Sequence, residues 1–422
     1  MKPSEPAALI LPLSKGLGRL DRALDSDEIA RLGWNLLRED LSLPTAVLYE
    51  DKLSHNLEWM QNFAEVYGAK LAPHGKTTMA PKLFMRQLQA GAWGITLATA
   101  HQTRVAYEHG VHRVLMANQL VGRQNLSIIS RLLEDPQFEF FCLVDSAEQV
   151  ETVGRFFQDR GQRLNVLIEL GVEGGRTGLR DREQLHEVLV ALSSRRDHVL
   201  LCGLEVYEGI LNDEASIRDF LQHAVTVMCE LAQEKRFDRS PIILSGAGSA
   251  WYDVVADVFC KANIGESLEV ILRPGCYLTH DVGVYRDAQQ KIKVRNPVAQ
   301  RMNSTLLPAL QLWAYVQSVP EKNIAIIALG KRDAAFDAGL PVPALHYRPD
   351  SAKAIAAPES WRLTKMMDQH AYMGIADAGS IRVGDMIGFD ISHPCLTFDK
   401  WRYLPVLDSR YQVIDVVETF FL

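Results

Sequence analysis

Cysteine is scarce, with six residues in a chain of 422, and no two of them form a CxxC pair. A disulfide framework is thereby excluded, and a reducing, cytoplasmic setting is expected. Long apolar runs are missing too. The early stretch Ala7 to Leu13 is broken by Pro12. It is too short to span a bilayer and lacks the layout of a signal peptide. Neither sign of charge dominates: 45 basic against 52 acidic residues leave a net charge of -7. Such a surface has no general attraction for nucleic acid or an anionic membrane, so neither is expected as a partner. Internal repeats and low-complexity tracts are absent. What is present is globular composition, 47% hydrophobic and 23% charged, over a length that suits two domains or at most three.

Residues 1–44 read as an extension with one or two short helices. Ser26 is placed to cap a helix through Leu37, with Asp27 and Glu28 in its first turn. Thr45 to Tyr49 is β-prone. Asp51 is placed to cap a helix whose apolar positions Leu53, Leu57, Met60, Ala64 and Tyr67 keep helical spacing. From Ala69 strand-like runs recur near 69–73, 94–98, 113–117, 139–144, 164–170, 199–206, 241–245 and 268–272, with helical patterns between them. Alternation of this kind predicts parallel strands with βαβ crossovers. Eight such units fit an α/β fold of the (β/α)₈ (TIM) barrel type, which needs roughly 250 residues. A doubly wound open sheet is the rival, but no GxGxxG follows the first strand. Beyond residue 285 the strand-like runs 312–319, 323–328, 385–391 and 411–417 are separated by Gly, Pro and Asp turns, and long helical patterns are scarce. The reading is an extension (1–44), a linking strand and helix (45–68), a barrel (69–290) and a mainly β domain (291–422).

Barrels do their chemistry where strands end. The first strand runs into Ala72-Pro-His-Gly-Lys-Thr-Thr-Met-Ala-Pro81, and Lys76 lies among mostly apolar residues. A desolvated lysine is a Schiff-base nucleophile; an ordinary surface lysine in a Pro-rich turn is the plainer alternative. The fifth strand ends in a segment with Gly171, Gly174, Gly175 and Gly178 around Arg176, which is either a ligand-approaching backbone with a fixed cation or a solvated loop. Tyr207 follows the sixth strand as a polar ring or a core aromatic. Ser245-Gly-Ala-Gly-Ser249 precedes a helix from Trp251, and Gly275-Cys-Tyr277 follows the eighth strand. Both turns can offer N–H groups to an anion, at the position where barrels often bind phosphate. A lysine, an arginine, a tyrosine and two such turns on one rim are the set pyridoxal phosphate requires. In the β domain His393 and Cys395 stand two apart. Imidazole and thiolate suit zinc, although two ligands do not close a structural site, and a turn with a half-buried cysteine is equally consistent.

Together these residues resemble fold-type III pyridoxal-phosphate enzymes, specifically the D-serine dehydratase and D-threonine aldolase family, from about Leu43 to the end. Pro73-His-Gly-Lys-Thr77 is the most specific motif. Ala72 and Thr78 depart from the arginine and histidine that the family often carries there, and the chain looks nearest to the bacterial branch labelled amino-acid deaminases. The resemblance implies an alanine-racemase-like barrel whose C-terminal β domain also takes the strand at 45–49, usually as a homodimer. It implies that Lys76 binds the cofactor aldehyde and removes the substrate Cα proton, with His74 as a further cofactor-binding residue. Arg176 would face the phenolic oxygen and Tyr207 the ring nitrogen. Ser245, Gly246, Ala247, Gly248, Ser249, Gly275, Cys276 and Tyr277 would form the cofactor-binding turns, with backbone N–H groups on the phosphate. His393 and Cys395 would hold a divalent metal, zinc by preference. The reaction implied is β-elimination from a D-3-hydroxy amino acid such as D-serine, giving a 2-oxo acid and ammonia. The family's aldolases tend to carry Asp, and its dehydratases Cys, at the second metal position. Retro-aldol cleavage to glycine and an aldehyde is the alternative, followed by racemisation and by a non-catalytic cofactor carrier.

Overall fold

The computed structural model describes residues 9–376 and 378–421. The first helix, α1 (Ser26–Arg31), is capped by Asp25 rather than Ser26. The Asp25 carboxylate accepts from the Glu28 N–H, and Glu28 returns the bond. The helix also stops well short of Leu37. Gly33 follows at φ 68°, and Leu36–Arg38 forms a separate 3₁₀ turn. Around these turns Ile10, Leu17, Leu20, Leu24, Ile29, Leu36 and Leu41 pack with Trp313, Tyr347, Met386 and Leu407. The extension is therefore an outer layer on the β domain.

Strand β1 (Thr45–Tyr49) is buried at every residue. It runs directly into α2 (Glu50–Tyr67), so Tyr49 occupies the cap and Asp51 lies inside the first turn. Eight parallel strands follow: β2 (Lys70–Leu71), β3 (Ile95–Leu97), β4 (Arg113–Gln119), β5 (Glu139–Val144), β6 (Leu164–Leu170), β7 (Val199–Val206), β8 (Ile242–Gly246) and β9 (Leu268–Leu272). Neighbours pair in chain order from β3 to β9, and β9 pairs with β2. A parallel bridge between His74 and Thr96 joins the end of the first strand to β3 and closes the ring. The crossovers are α3 (Pro81–Gln89), α4 (Ala100–Glu108), α5 (Arg123–Leu132), α6 (Ala147–Gln158), α7 (Arg182–Ser194), α8 (Glu214–Gln233) and α9 (Tyr252–Phe259). Asp181 caps α7, its side chain accepting from the Gln184 N–H. Inside the barrel Ala72, Leu115, Phe141, Leu143, Leu167, Cys202, Ile243 and Ile271 form a packed plug. The barrel expected from the βαβ rhythm is thus present.

Helices α10 (Val284–Arg295) and α11 (Pro297–Arg301) lead out of it. The β domain contains β10 (Leu310–Glu321), β11 (Ile324–Ile327), β12 (Val342–Tyr347), β13 (Ile355–Ala356), β14 (Arg362–Met366), β15 (Ala371–Gly374), β16 (Met386–Asp390), β17 (Tyr403–Leu407) and β18 (Val413–Glu418). Its main sheet runs β13-β12-β16-β10-β1-β17-β18. β1 lies antiparallel to β10, from Thr45 opposite Trp313 to Leu48 opposite Leu310, so the N-terminal strand does belong to this domain. Five strands escape a reading by pattern. β12 to β15 are short and half-exposed, and β17 carries Pro405 inside a sheet, where proline is disfavoured. Among the described residues no helix is long and apolar enough to cross a membrane.

Candidate active site

A cavity of about 500 Å³ opens at the C-terminal ends of the barrel strands. Lys76 lies on its wall in the 3₁₀ turn Gly75–Thr77 that follows β2. Glycine is needed on both sides of this turn. A Cβ on Gly75 would meet Phe84 at 2.7 Å, and one on Gly275 would meet the His74 carbonyl at 2.6 Å. The turn after β9 can thus press against the lysine turn. Burial holds the Lys76 amine below the ordinary lysine range; Arg273 and Arg176 push the same way, against Cys395. A lysine that gives up its proton more easily is a better nucleophile and base. His74 is half-buried beside it, desolvation holds its imidazole well below the ordinary histidine range, and among the described residues its Nδ1 has no partner.

Two turns able to hold an anion meet beside it at the same cavity. Ser249 Oγ accepts from the N–H groups of Gly275 at 3.3 Å and Cys276 at 3.2 Å, so one hydroxyl and two N–H groups converge. Ala247 sits at φ 80°, a left-handed conformation that costs a non-glycine residue energy. The buried Glu208 carboxylate steadies it, accepting from Ala247 N–H at 3.1 Å and Gly248 N–H at 2.7 Å. Ser245 and Gly246 lie deeper in β8, where Ser245 Oγ donates to the Ile271 carbonyl. Tyr277 is also buried away from the cavity and accepts from Gln87 at 3.1 Å. Tyr207 and Arg176 both line the cavity, with the guanidinium carbon 5.9 Å from the centre of the ring.

Sequence reasoning passed over the pair at the floor. Arg273 donates to Glu205, and both are buried. Burial, joined by the nearby carboxylates of Glu169 and Glu208, outweighs Arg273 and pushes Glu205 up to about 8. Among the described residues Arg273 Nε and Glu205 Oε2 have no partner. Alternation from the apolar Leu204 and Val206 places Glu205 on the inner face of β7, and an inward-facing acid in a barrel strand was the available signal.

The β domain contributes its pair at the same wall. Cys395 opens the one-turn helix α12 (Cys395–Phe398). Its Sγ is 3.7 Å from Cys276 Sγ and 3.5 Å from Thr77 Oγ1. Hydrogen bonding with Cys276, then with His393 and Thr77, holds the Cys395 thiol well below its ordinary range, while the same contact with Cys395, joined by burial, holds Cys276 above it. His393 lies just outside the cavity lining, its Nδ1 2.7 Å from Asp337 Oδ2. Hydrogen bonding to Cys395 and then to Asp337 raises its affinity for a proton. No group of three or more His, Cys, Asp or Glu side chains gathers as a metal cluster among the described residues. His393 and Cys395 are therefore a pair whose remaining ligands would come from outside. The unpartnered His74, Glu205 and Arg273 atoms, the converging donors and the lowered lysine fit pyridoxal phosphate. The thiolate–imidazole pair fits a soft divalent metal.

The alanine racemase N-terminal domain family matches residues 49–266, just over half of the 422. The chain belongs to that family. A serine dehydratase domain family matches residues 309–407, most of the β domain. The chain is 26% identical to a D-threonine aldolase of Arthrobacter sp over 230 residues, 53% of this chain and 59% of that protein. It is 22% identical to a 3-hydroxy-D-aspartate aldolase of Paracoccus denitrificans over 384 residues, 89% of this chain and 91% of the other. The chain thus spans little more than half of one relative and nearly all of the second. Among solved structures, D-threonine aldolase from Filomicrobium marinum superposes with a TM-score of 0.75 at 20% identity, covering 92% of this chain and 97% of that one. D-threo-3-hydroxyaspartate dehydratase from Delftia sp. superposes at 0.72 and 19%, covering 92% and 99%. At these identities the superpositions establish the alanine-racemase-like fold.

Proposed function

We propose that this chain is a pyridoxal-phosphate- and metal-dependent lyase that eliminates the β-hydroxyl of a D-3-hydroxy amino acid, D-serine being the simplest, to give a 2-oxo acid and ammonia. The observation that carries the reading is convergence. A depressed lysine, a cradle of N–H groups and a thiolate from the other domain all face one cavity. Relatives named as aldolases and a dehydratase of D-hydroxy amino acids support the substrate class.

Bound pyridoxal phosphate would supply an aldehyde for the substrate amine and a ring to take up the electron pair left at Cα. The residues of the chain do the rest. Lys76 would hold the aldehyde and would accept the Cα proton, a role that its lowered pKa favours. Ser249 Oγ with the N–H groups of Gly275 and Cys276 anchors the phosphate end, and Glu208 keeps the Ala247–Gly248 turn in shape. The Arg273–Glu205 pair lines the same cavity as Tyr207 and would supply charge there to tune a bound cofactor. His393 and Cys395 would hold a divalent metal, zinc by ligand softness, which would supply Lewis acidity to the β-hydroxyl. Thiolate at Cys395, where the aldolases of the family tend to carry Asp, favours elimination over retro-aldol cleavage.

Product analysis decides between the two. D- and L-serine, D-threonine and D-3-hydroxyaspartate are each incubated with and without a chelator. Ammonia with a 2-oxo acid from the D-substrates, lost on chelation, is the expected result. Glycine with an aldehyde, and no ammonia, from every active substrate would reject elimination. A homodimer is expected for such an enzyme. Sedimentation at micromolar concentration checks it.

A further inference from the structure

We infer that Asp337 is a positioning residue for His393, and that the N-terminal segment holds its loop in place through Lys15. The inference rests on the reading that His393 and Cys395 hold a metal, and it concerns residues that neither the motifs nor the cavity lining single out.

Asp337 lies in the irregular connection between β11 and β12, 56 positions before His393. Its Oδ2 accepts from the imidazole Nδ1 at 2.7 Å. With Nδ1 so engaged, Nε2 is the nitrogen left with a lone pair for a metal, and the ring plane is set before the metal arrives. The loop itself is braced. Gly330 N–H donates to Asp333 Oδ2 at 2.8 Å, and Ala335 N–H donates to Thr397 Oγ1 at 3.1 Å. The same Thr397 hydroxyl donates to the His393 carbonyl at 3.1 Å, so both partners of the Asp–His pair hang on one frame.

Lys15 closes that frame from outside. Its Nζ is 2.7 Å from Asp333 Oδ1 and 3.0 Å from the Arg332 carbonyl. It also lies 3.9 Å above the Trp401 ring, whose Nε1 donates to the Asp333 carbonyl at 2.7 Å. Asp333 is 3% exposed, so its carboxylate has little water to turn to if Lys15 is removed. An extension that looks dispensable in sequence thus reaches the metal ligand in three steps, through Asp333, the loop and Asp337.

The test is zinc affinity of the cofactor-loaded enzyme, read by competition with a chromophoric chelator, with thermal midpoint as the control for folding. Asp337→Asn is expected to weaken zinc about 10- to 100-fold, the usual cost of losing such a partner. Asp337→Glu should recover part of the loss. Lys15→Met should weaken zinc about two- to fivefold, the scale of one partly exposed ion pair. His393→Ala and Cys395→Ser, measured alongside, should lose zinc outright. If those two lose zinc while Asp337→Asn matches wild type, the positioning role is overturned and the metal reading stands. If His393→Ala and Cys395→Ser also bind zinc like wild type, the metal reading falls and takes this inference with it. Wild-type affinity in Lys15→Met removes the N-terminal strap.

Discussion

The two mouths of the barrel carry similar residues in opposite states. At the N-terminal mouth Glu139 contacts Arg113 and Arg239, and Glu269 contacts Lys70, Arg239 and the Trp93 indole. Each acid there has a cation, and the two arginines hold Glu139 below its ordinary range against the pull of burial. At the C-terminal mouth Lys76 and Arg176 have no ion pair among the described residues. His74, Glu205 and Arg273 each carry a buried atom without a partner, and Glu205 is pushed up instead of down. One end spends its charges on the fold. The other pairs Arg273 with Glu205 but leaves single buried polar atoms unmatched among the described residues, a pattern that clusters at functional sites.

Exchanging the ends by mutation should break the contrast. Lys76→Ala is expected to lower turnover by about 10³-fold or more while the thermal midpoint stays put. Turnover equal to wild type would falsify the cofactor-lysine role. His393→Ala, or exhaustive chelation of the wild type, should cost about 10²-fold. Full activity in a preparation shown by elemental analysis to be metal-free would sink the metal. At the other mouth Glu139→Gln should cost about 1–3 kcal/mol of stability, the worth of charged hydrogen bonds, and leave kcat within twofold. A loss of kcat with no loss of stability there would erase the distinction.

The pH dependence sharpens the comparison further, because the signs oppose. Glu139, with its folded pKa lowered, contributes stability that is present above the unfolded carboxylate value and lost as pH falls through the folded one. Glu205, with its folded pKa raised to about 8, binds its proton more tightly when folded. Its contribution is therefore present at pH 4 and lost as pH rises towards 8. In cofactor-free protein Glu205→Gln should thus lose ground to wild type near pH 5 and regain it near pH 8.5. Thermal midpoints across that range are the measurement, and parallel curves would rule the shift out.

Much of this was legible from local pattern. Each of the eight barrel strands falls where a strand-like run predicts it, since a buried parallel strand is a short apolar run bounded by turns. Lys76, Ser249, Gly275 and Cys276 were visible because chemistry in this fold follows strand ends. The misses share a cause. Ser26 and Asp51 were plausible caps by residue type, but the neighbouring Asp25 made the better capping box and β1 ran on into α2 without a cap. Strands β12 to β15 are half-exposed and short, so their edges resemble loops. Glu205 and Arg273, 68 positions apart, look like unrelated charges until the barrel closes.

Local order along the chain thus set the barrel, its rhythm and the rim on which a cofactor lysine would stand. Those depend on periodic burial and on turn chemistry, which act between near neighbours. The meeting of Cys276 with Cys395 across 119 positions, of Asp337 with His393, and of Lys15 with Asp333 was decided only by docking the β domain and its N-terminal layer against the barrel. Such contacts depend on packing between distant segments, which no local periodicity encodes. The scarce cysteines are the clearest instance. All six are free thiols, and two of them, Cys276 and Cys395, meet where the barrel and the β domain come together.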